Sequence, residues 1–136
     1  MTGITALLLL IGWTMLLALS YATYRIPQIF LAGKPASHWE RTQPVDDPPV
    51  LVRAKGAHLN TLENIPLFAA LVLVAAVTGQ SPVVDALAGY FLAARLAQSV
   101  AHILGTSLPL VMLRATFFLA QIGMMFYMVW ALLSGL

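Results

Sequence analysis

From Ile4 to Tyr24 the chain carries no charge at all. Three more long apolar stretches follow, each with room for the roughly 20 apolar residues that a helix needs to cross hydrocarbon. The pattern predicts transmembrane helices over about 4–25, 51–77, 82–104 and 110–133. The first is too long and too uniformly apolar for a cleaved signal, and Arg25 closes it, placed to snorkel toward the headgroups. Residues 31–50 (LAGKPASHWERTQPVDDPPV) are the polar interruption, dense in proline and charge, and predict a loop ordered by packing on the helices. The other connections are short, so successive helices run antiparallel. The fold class expected is all-α: an integral membrane up-down four-helix bundle, one domain over 1–136.

Local signals refine the picture. Pro66 falls inside the second helix, deprives the Leu62 carbonyl of its donor and predicts a bend. Ser81 as N-cap, Pro82 at the first helical position and Asp85 in the first turn open the third helix. Gly89, Ala93, Ala97, Ala101 and Gly105 recur every four residues along it, a stripe against which another helix can pack closely.

Composition narrows the function classes. With 60% hydrophobic and 9% charged residues, the chain has too little charge to cover a soluble domain. The net charge of +2 comes from seven Lys and Arg spread along an apolar chain, which form no stripe for nucleic acid. There is no cysteine, which excludes disulfides, thiolate metal sites and a cysteine nucleophile. Arg25, Lys34, Arg41, Arg53 and Lys55 all lie in or beside the loop after helix one. That asymmetry places the loop in the cytoplasm and both termini outside, in a membrane such as the bacterial inner membrane.

Polar residues inside a span are costly and call for a partner or a function. Helix two offers Arg53, Gly56, Asn60 and Glu63, helix three Arg95, Gln98 and His102, and helix four Arg114 and Gln121. Each set keeps to one helix face, and together they predict one polar pocket near the cytoplasmic end. At 1.5 Å per residue, Glu63 lies roughly 12 Å and Arg95 roughly 15 Å inside the hydrocarbon. Leaving either unpaired costs about 2.5–3.5 kcal/mol on the lenient insertion scale, so the two are expected to pair. That pair reads equally well as a bundle-locking ion pair. His102 reads as a hydrogen-bonded interior residue or as a base. His58 is assigned to another face, and no metal site is expected. Glu40, Asp46 and Asp47 read as a solvated loop; Trp13, Trp39, Tyr90, Tyr127 and Trp130 as interfacial or packing aromatics. Neither a Ser-His-Asp set nor a glycine-rich phosphate loop is present.

The segment Arg53 to Phe68 (RAKGAHLNTLENIPLF) resembles a signature of the MAPEG family, membrane-associated proteins in eicosanoid and glutathione metabolism. The elements carrying it are Arg53, Ala57-x-x-Asn60-x-x-Glu63 and Pro66-x-Phe68. Ala94-Arg95-Leu96-Ala97 on helix three and Arg114-Ala115 on helix four are similar to that family's motifs there, and the likeness extends over the chain as a bacterial-type member. It implies a homotrimer with glutathione sites between neighbouring subunits, open to the cytoplasm. By the resemblance, Asn60 and Glu63 hold the tripeptide, Arg53, Arg95 or Arg114 take its carboxylates, and Gln98 lies in the binding set. Arg114 and His102 are the candidates for catalysis, in which a cation stabilises the thiolate for attack on a lipophilic electrophile.

Three departures accompany the match. Gly56 stands where the family has Arg, Gln98 and His102 stand where it has tyrosines, and residues 103–108 (ILGTSL) lack its thiol-activating Arg. The expected function is therefore glutathione binding with transferase or peroxidase chemistry on lipophilic small molecules. The alternatives are a membrane scaffold or lipid-binding protein that keeps the fold without the chemistry, and a small cation exporter. Against the exporter, Ile4–Tyr24 contains no essential acid.

Overall fold

The computed structural model describes residues 1–40, 44 and 46–136. Among these the chain forms four long helices, α1 (Gly3–Leu31), α2 (Pro49–Val77), α3 (Ser81–Leu104) and α4 (Leu108–Ser134), with a short 3-10 turn at Ala36–Trp39. All four are long and apolar enough to cross a membrane. α1 packs on α2 and α3, whereas α4 packs on α3 and more lightly on α2. Arg41, one of the loop charges behind the expected orientation, lies outside the described residues.

The helix ends depart from the sequence reading for identifiable reasons. α1 continues to Leu31 because Arg25 does not snorkel. It is 9% exposed, and its Nε and Nη2 donate to Asp47 Oδ2 at 2.8 and 2.5 Å. The helix runs on through Pro27 and stops where Gly33 turns left-handed (φ +64°). α2 begins at Pro49 and α4 takes Pro109 into its first turn, positions where the missing N–H costs nothing.

Between α2 and α3 one residue closes one helix and opens the next. Gly79 (φ +72°) donates to Ala76 O, and Gln80 N donates to Ala75 O at 2.8 Å, the paired bonds of a Schellman terminus. The Gln80 carbonyl then accepts from Val83 N, so Gln80, not Ser81, precedes the first turn of α3. Asp85 is also placed differently from the expectation. Its carboxylate accepts from Gly3 N at 2.6 Å and caps α1, to which Thr2 adds a bond from Thr5 N.

The buried apolar cluster gathers Ala6 and Leu10 of α1, Phe68, Val72 and Ala75 of α2, Val84, Ala88 and Phe91 of α3, and Met128 and Leu132 of α4. All lie toward the end of the bundle that holds both termini. Phe68 and Phe91 stack face to face at 4.1 Å between centroids. The small-residue stripe of α3 faces inward only at its far end: Ala101 is buried, whereas Ala93 is exposed and a Cβ on Gly89 would meet nothing within 4 Å. Within the chain, α3 turns Val84, Ala88, Phe91, Arg95 and Ser99 inward instead.

Candidate functional site

Polar side chains are buried in the half of the bundle near the α1–α2 loop. Arg95 lies one turn beyond Phe91 on the inward face of α3 and is 1% exposed. Its Nη1 donates to Asn60 Oδ1 at 2.8 Å and, more distantly, to the Asn60 carbonyl at 3.5 Å. Its Nε and Nη2 are buried with no hydrogen-bond partner among the described residues. Buried donors are nearly always satisfied, so two idle ones on a single guanidinium stand out.

The expected Glu63–Arg95 ion pair is not formed. Glu63 is exposed on the outer side of α2, and among the described residues the ion pairs are Arg25–Asp47, Lys34–Asp46 and His38–Asp46. The rise arithmetic set the height of the two residues but not their direction around the helix axis. Asn60, three residues earlier, has the direction that meets Arg95. Glu63 stays within Coulombic range of Arg95 without touching it.

Gln98 Oε1 accepts from Gln121 Nε2 at 2.9 Å, tying α3 to α4, while Gln121 also donates to Phe117 O. The other amide atom, Gln121 Oε1, is buried without a partner among the described residues. Arg53 is partly committed elsewhere: its Nε donates to Ile103 O at 2.7 Å, satisfying a carbonyl at the end of α3. His102 lies against bare helix backbone, since a Cβ at Gly56 would stand 3.0 Å from its Nε2. Arg114 is half-buried, within Coulombic range of His102, and its Nε has no partner among the described residues. The structure thus gathers Asn60, Arg95, Gln98, His102 and Arg114 in one half of the bundle, turns Arg53 to the end of α3, and leaves Glu63 outside. His58 points away from this group, hydrogen-bonded through Nδ1 to the Tyr21 hydroxyl of α1 at 2.9 Å.

Several buried polar residues escaped the sequence reading. Thr61, Asn64 and Ser99 reach back four residues to carbonyls of their own helices, and Thr61 and Ser99 approach each other at 3.5 Å. Satisfied in this way, a hydroxyl leaves little pattern in a span. Asp47, read as solvated, is 7% exposed; it also accepts from Trp39 Nε1 at 2.9 Å, so Trp39 packs as a loop anchor. The Arg25 guanidinium lies 5.0 Å over the Tyr21 ring and 5.8 Å over Trp39. An acid immediately before the Pro-Pro start of α2 was the available signal. Asp46 is solvated as expected, and hydrogen bonds from His38 and then Lys34 hold its carboxyl down to about 2.

A groove of about 470 Å³ between α2 and α4, walled by Leu67, Leu71, Val74, Ile122, Phe126 and Val129, opens in the apolar half, away from Arg95. Its lining supplies no chemistry. The sequence model described as MAPEG family matches residues 3–134. No curated protein and no solved structure matches the chain.

Proposed function

The chain belongs to the MAPEG family, and from that premise we propose that it binds glutathione and conjugates or reduces lipophilic electrophiles with it. One observation carries the reading: Arg95, buried beside Asn60, keeps two donors idle. A buried guanidinium in that state favours an anion with two oxygens, and a carboxylate fits the fork. Glutathione brings two carboxylates, an ammonium and a thiol. Arg95 takes one carboxylate alongside Asn60, with Gln98 and the free nitrogens of Arg53 bordering the tripeptide. Arg114 stabilises the thiolate, which attacks an electrophile dissolved in the bilayer.

Glu63 takes the ammonium from a subunit boundary. A carboxylate exposed on a membrane-crossing helix is costly in lipid, which supports a second copy lying against that face and a homotrimer with sites between neighbours. The basic residues around the α1–α2 loop support its placement in the cytoplasm. A cysteine at Ser37 is then expected to resist an impermeant thiol reagent in intact cells, and ready labelling would invert this orientation.

Calorimetry with glutathione on the detergent-purified protein tests the binding. Asn60→Ala is expected to weaken it about tenfold, the scale of one buried hydrogen bond whose partner is stranded. Arg114→Ala is expected to retain binding and lose the near-ultraviolet band of bound thiolate. Absence of binding at millimolar glutathione would sink the reading. It would favour a second one, a non-catalytic scaffold or lipid-binding protein of the same fold, for which the commitment of Arg53 to Ile103 O already speaks.

A further inference from the structure

A thiol that ionises must lose its proton to something, and a cation beside the sulfur cannot accept it. α2 carries a glycine one turn before Asn60, although glycine weakens a helix interior by about 0.8–1 kcal/mol relative to alanine. What lies on Gly56 is the ring of His102. A Cβ would stand 3.0 Å from Nε2 and 3.2 Å from Cε1, tighter than side chains ordinarily pack. The missing methyl is therefore the seat of the imidazole. The ring is half-buried, and neither nitrogen has a hydrogen-bond partner among the described residues.

The charged groups around the ring are cations. From α4 comes Arg114, with its idle Nε. From α2 comes Arg53, bound to the carbonyl of Ile103 next to His102. On α3 itself Arg95 lies two turns back. His58 is turned toward Tyr21 of α1, and Glu63, two turns beyond Gly56, is on the outer side of α2. An imidazole without a facing carboxylate is a neutral proton acceptor near pH 7.

We propose that His102, seated on Gly56, is the base that takes the proton of the bound thiol. The S–H bond breaks, an N–H bond forms on the imidazole, and the thiolate is left between the imidazolium and Arg114. When the thiolate attacks, the S–C bond forms, the leaving group departs with the electron pair of its own bond, and the imidazolium returns the proton to it. Nothing is oxidised or reduced in that conjugation. Gly56 is a positioning residue whose only contribution is the space it leaves. This inference rests on the glutathione reading and adds to it the destination of the proton.

The full-length, detergent-purified protein is mixed with glutathione while three signals are followed: heat of binding, the thiolate band, and proton release reported by an indicator dye. The wild type is expected to show the band without a matching proton release, and the 15N resonances of His102 are expected to move to those of an imidazolium. His102→Gln is expected to bind glutathione with little change but form thiolate about 100-fold more slowly, the scale of a positioned base. Gly56→Ala keeps the imidazole and displaces it, so an intermediate slowing is expected with binding retained. These wild-type measurements need no variant, so a poorly folding substitution does not blunt the test. Release of one proton per thiolate by the wild type, with His102→Gln forming thiolate at the normal rate, would overturn the proposal and leave glutathione binding intact. Failure of the wild type to bind glutathione would take both down together.

Discussion

Toward the chain termini, Phe68 and Phe91 stack within a cluster of aliphatic residues contributed by every long helix. One turn further along α3, Arg95 is as deeply buried with two nitrogens unsatisfied among the described residues, and Gln121 of α4 leaves an oxygen in the same condition. The same four helices thus build both regions, one closed by packing and one left chemically open. A stretch whose polar groups satisfy one another needs no ligand. One that buries idle donors carries a standing cost, which an anion can relieve. The difference, rather than cavity size, is what directs the proposed function to this half, since the groove between α2 and α4 lies in the apolar region.

The strongest way to break this comparison is to disturb the closed half. Phe68→Ala is expected to lower the free energy of unfolding in mixed micelles by about 3–5 kcal/mol, as the loss of a fully packed aromatic does. A loss below about 1 kcal/mol would mean that the stack does not anchor the fold. Next comes the clasp beneath the loop. Asp47→Ala strands the buried Arg25 and is expected to cost about 3 kcal/mol in the same assay. An unchanged midpoint would show that Arg25 reaches water after all.

Arg95 gives the test with opposite signs. Arg95→Met is expected to leave stability unchanged or raise it, by up to about 4 kcal/mol, while abolishing glutathione binding. Lost stability together with retained binding would reverse the roles assigned to the two halves. Because Arg95 meets Asn60 rather than Glu63, combining Glu63→Gln with Arg95→Met is expected to be additive within about 0.5 kcal/mol. The smallest effect belongs to Asp46. Its folded-state carboxyl titrates at about 2, below the unfolded value, so its contribution is complete above the unfolded value of about 4 and is lost as pH falls through 2. Asp46→Asn is expected to shift the melting temperature barely at neutral pH, and the two proteins are expected to converge below pH 2; a gap that widens on acidification would contradict this sign.

Run lengths of apolar residues sufficed for the helix count, because a span is a one-dimensional property of the chain. The end of α1 and the role of Asp85 were harder to read, since they depend on tertiary partners: Asp47 holds Arg25 inside, and Asp85 serves the start of α1 rather than that of its own helix. Within the candidate site, spacing placed Asn60, Arg95, Gln98, His102 and Arg114 at one end of the bundle. Spacing could not tell that Glu63 turns outward or that Arg53 ends on the Ile103 carbonyl. Depth follows from residue number, whereas direction around the axis follows from what the neighbouring helix offers.

The Schellman turn at Gly79 bears on how this chain reaches the bilayer. α3 is the least hydropathic of the four spans, and it carries Arg95 in its middle. Gln80 serves both helices, so α2 and α3 are joined without slack, and Asn60 arrives opposite Arg95 as soon as the two lie side by side. A guanidinium already engaged across a tight hairpin presents less bare charge to lipid than one on a solitary helix. α2 and α3 are therefore expected to enter the bilayer as a pair. Inserting a flexible Gly-Ser tract after Gly79 should leave α3 partly stranded outside the membrane, visible as glycosylation of a tag placed after α3. Unaltered insertion with the long tract would mean that α3 enters alone.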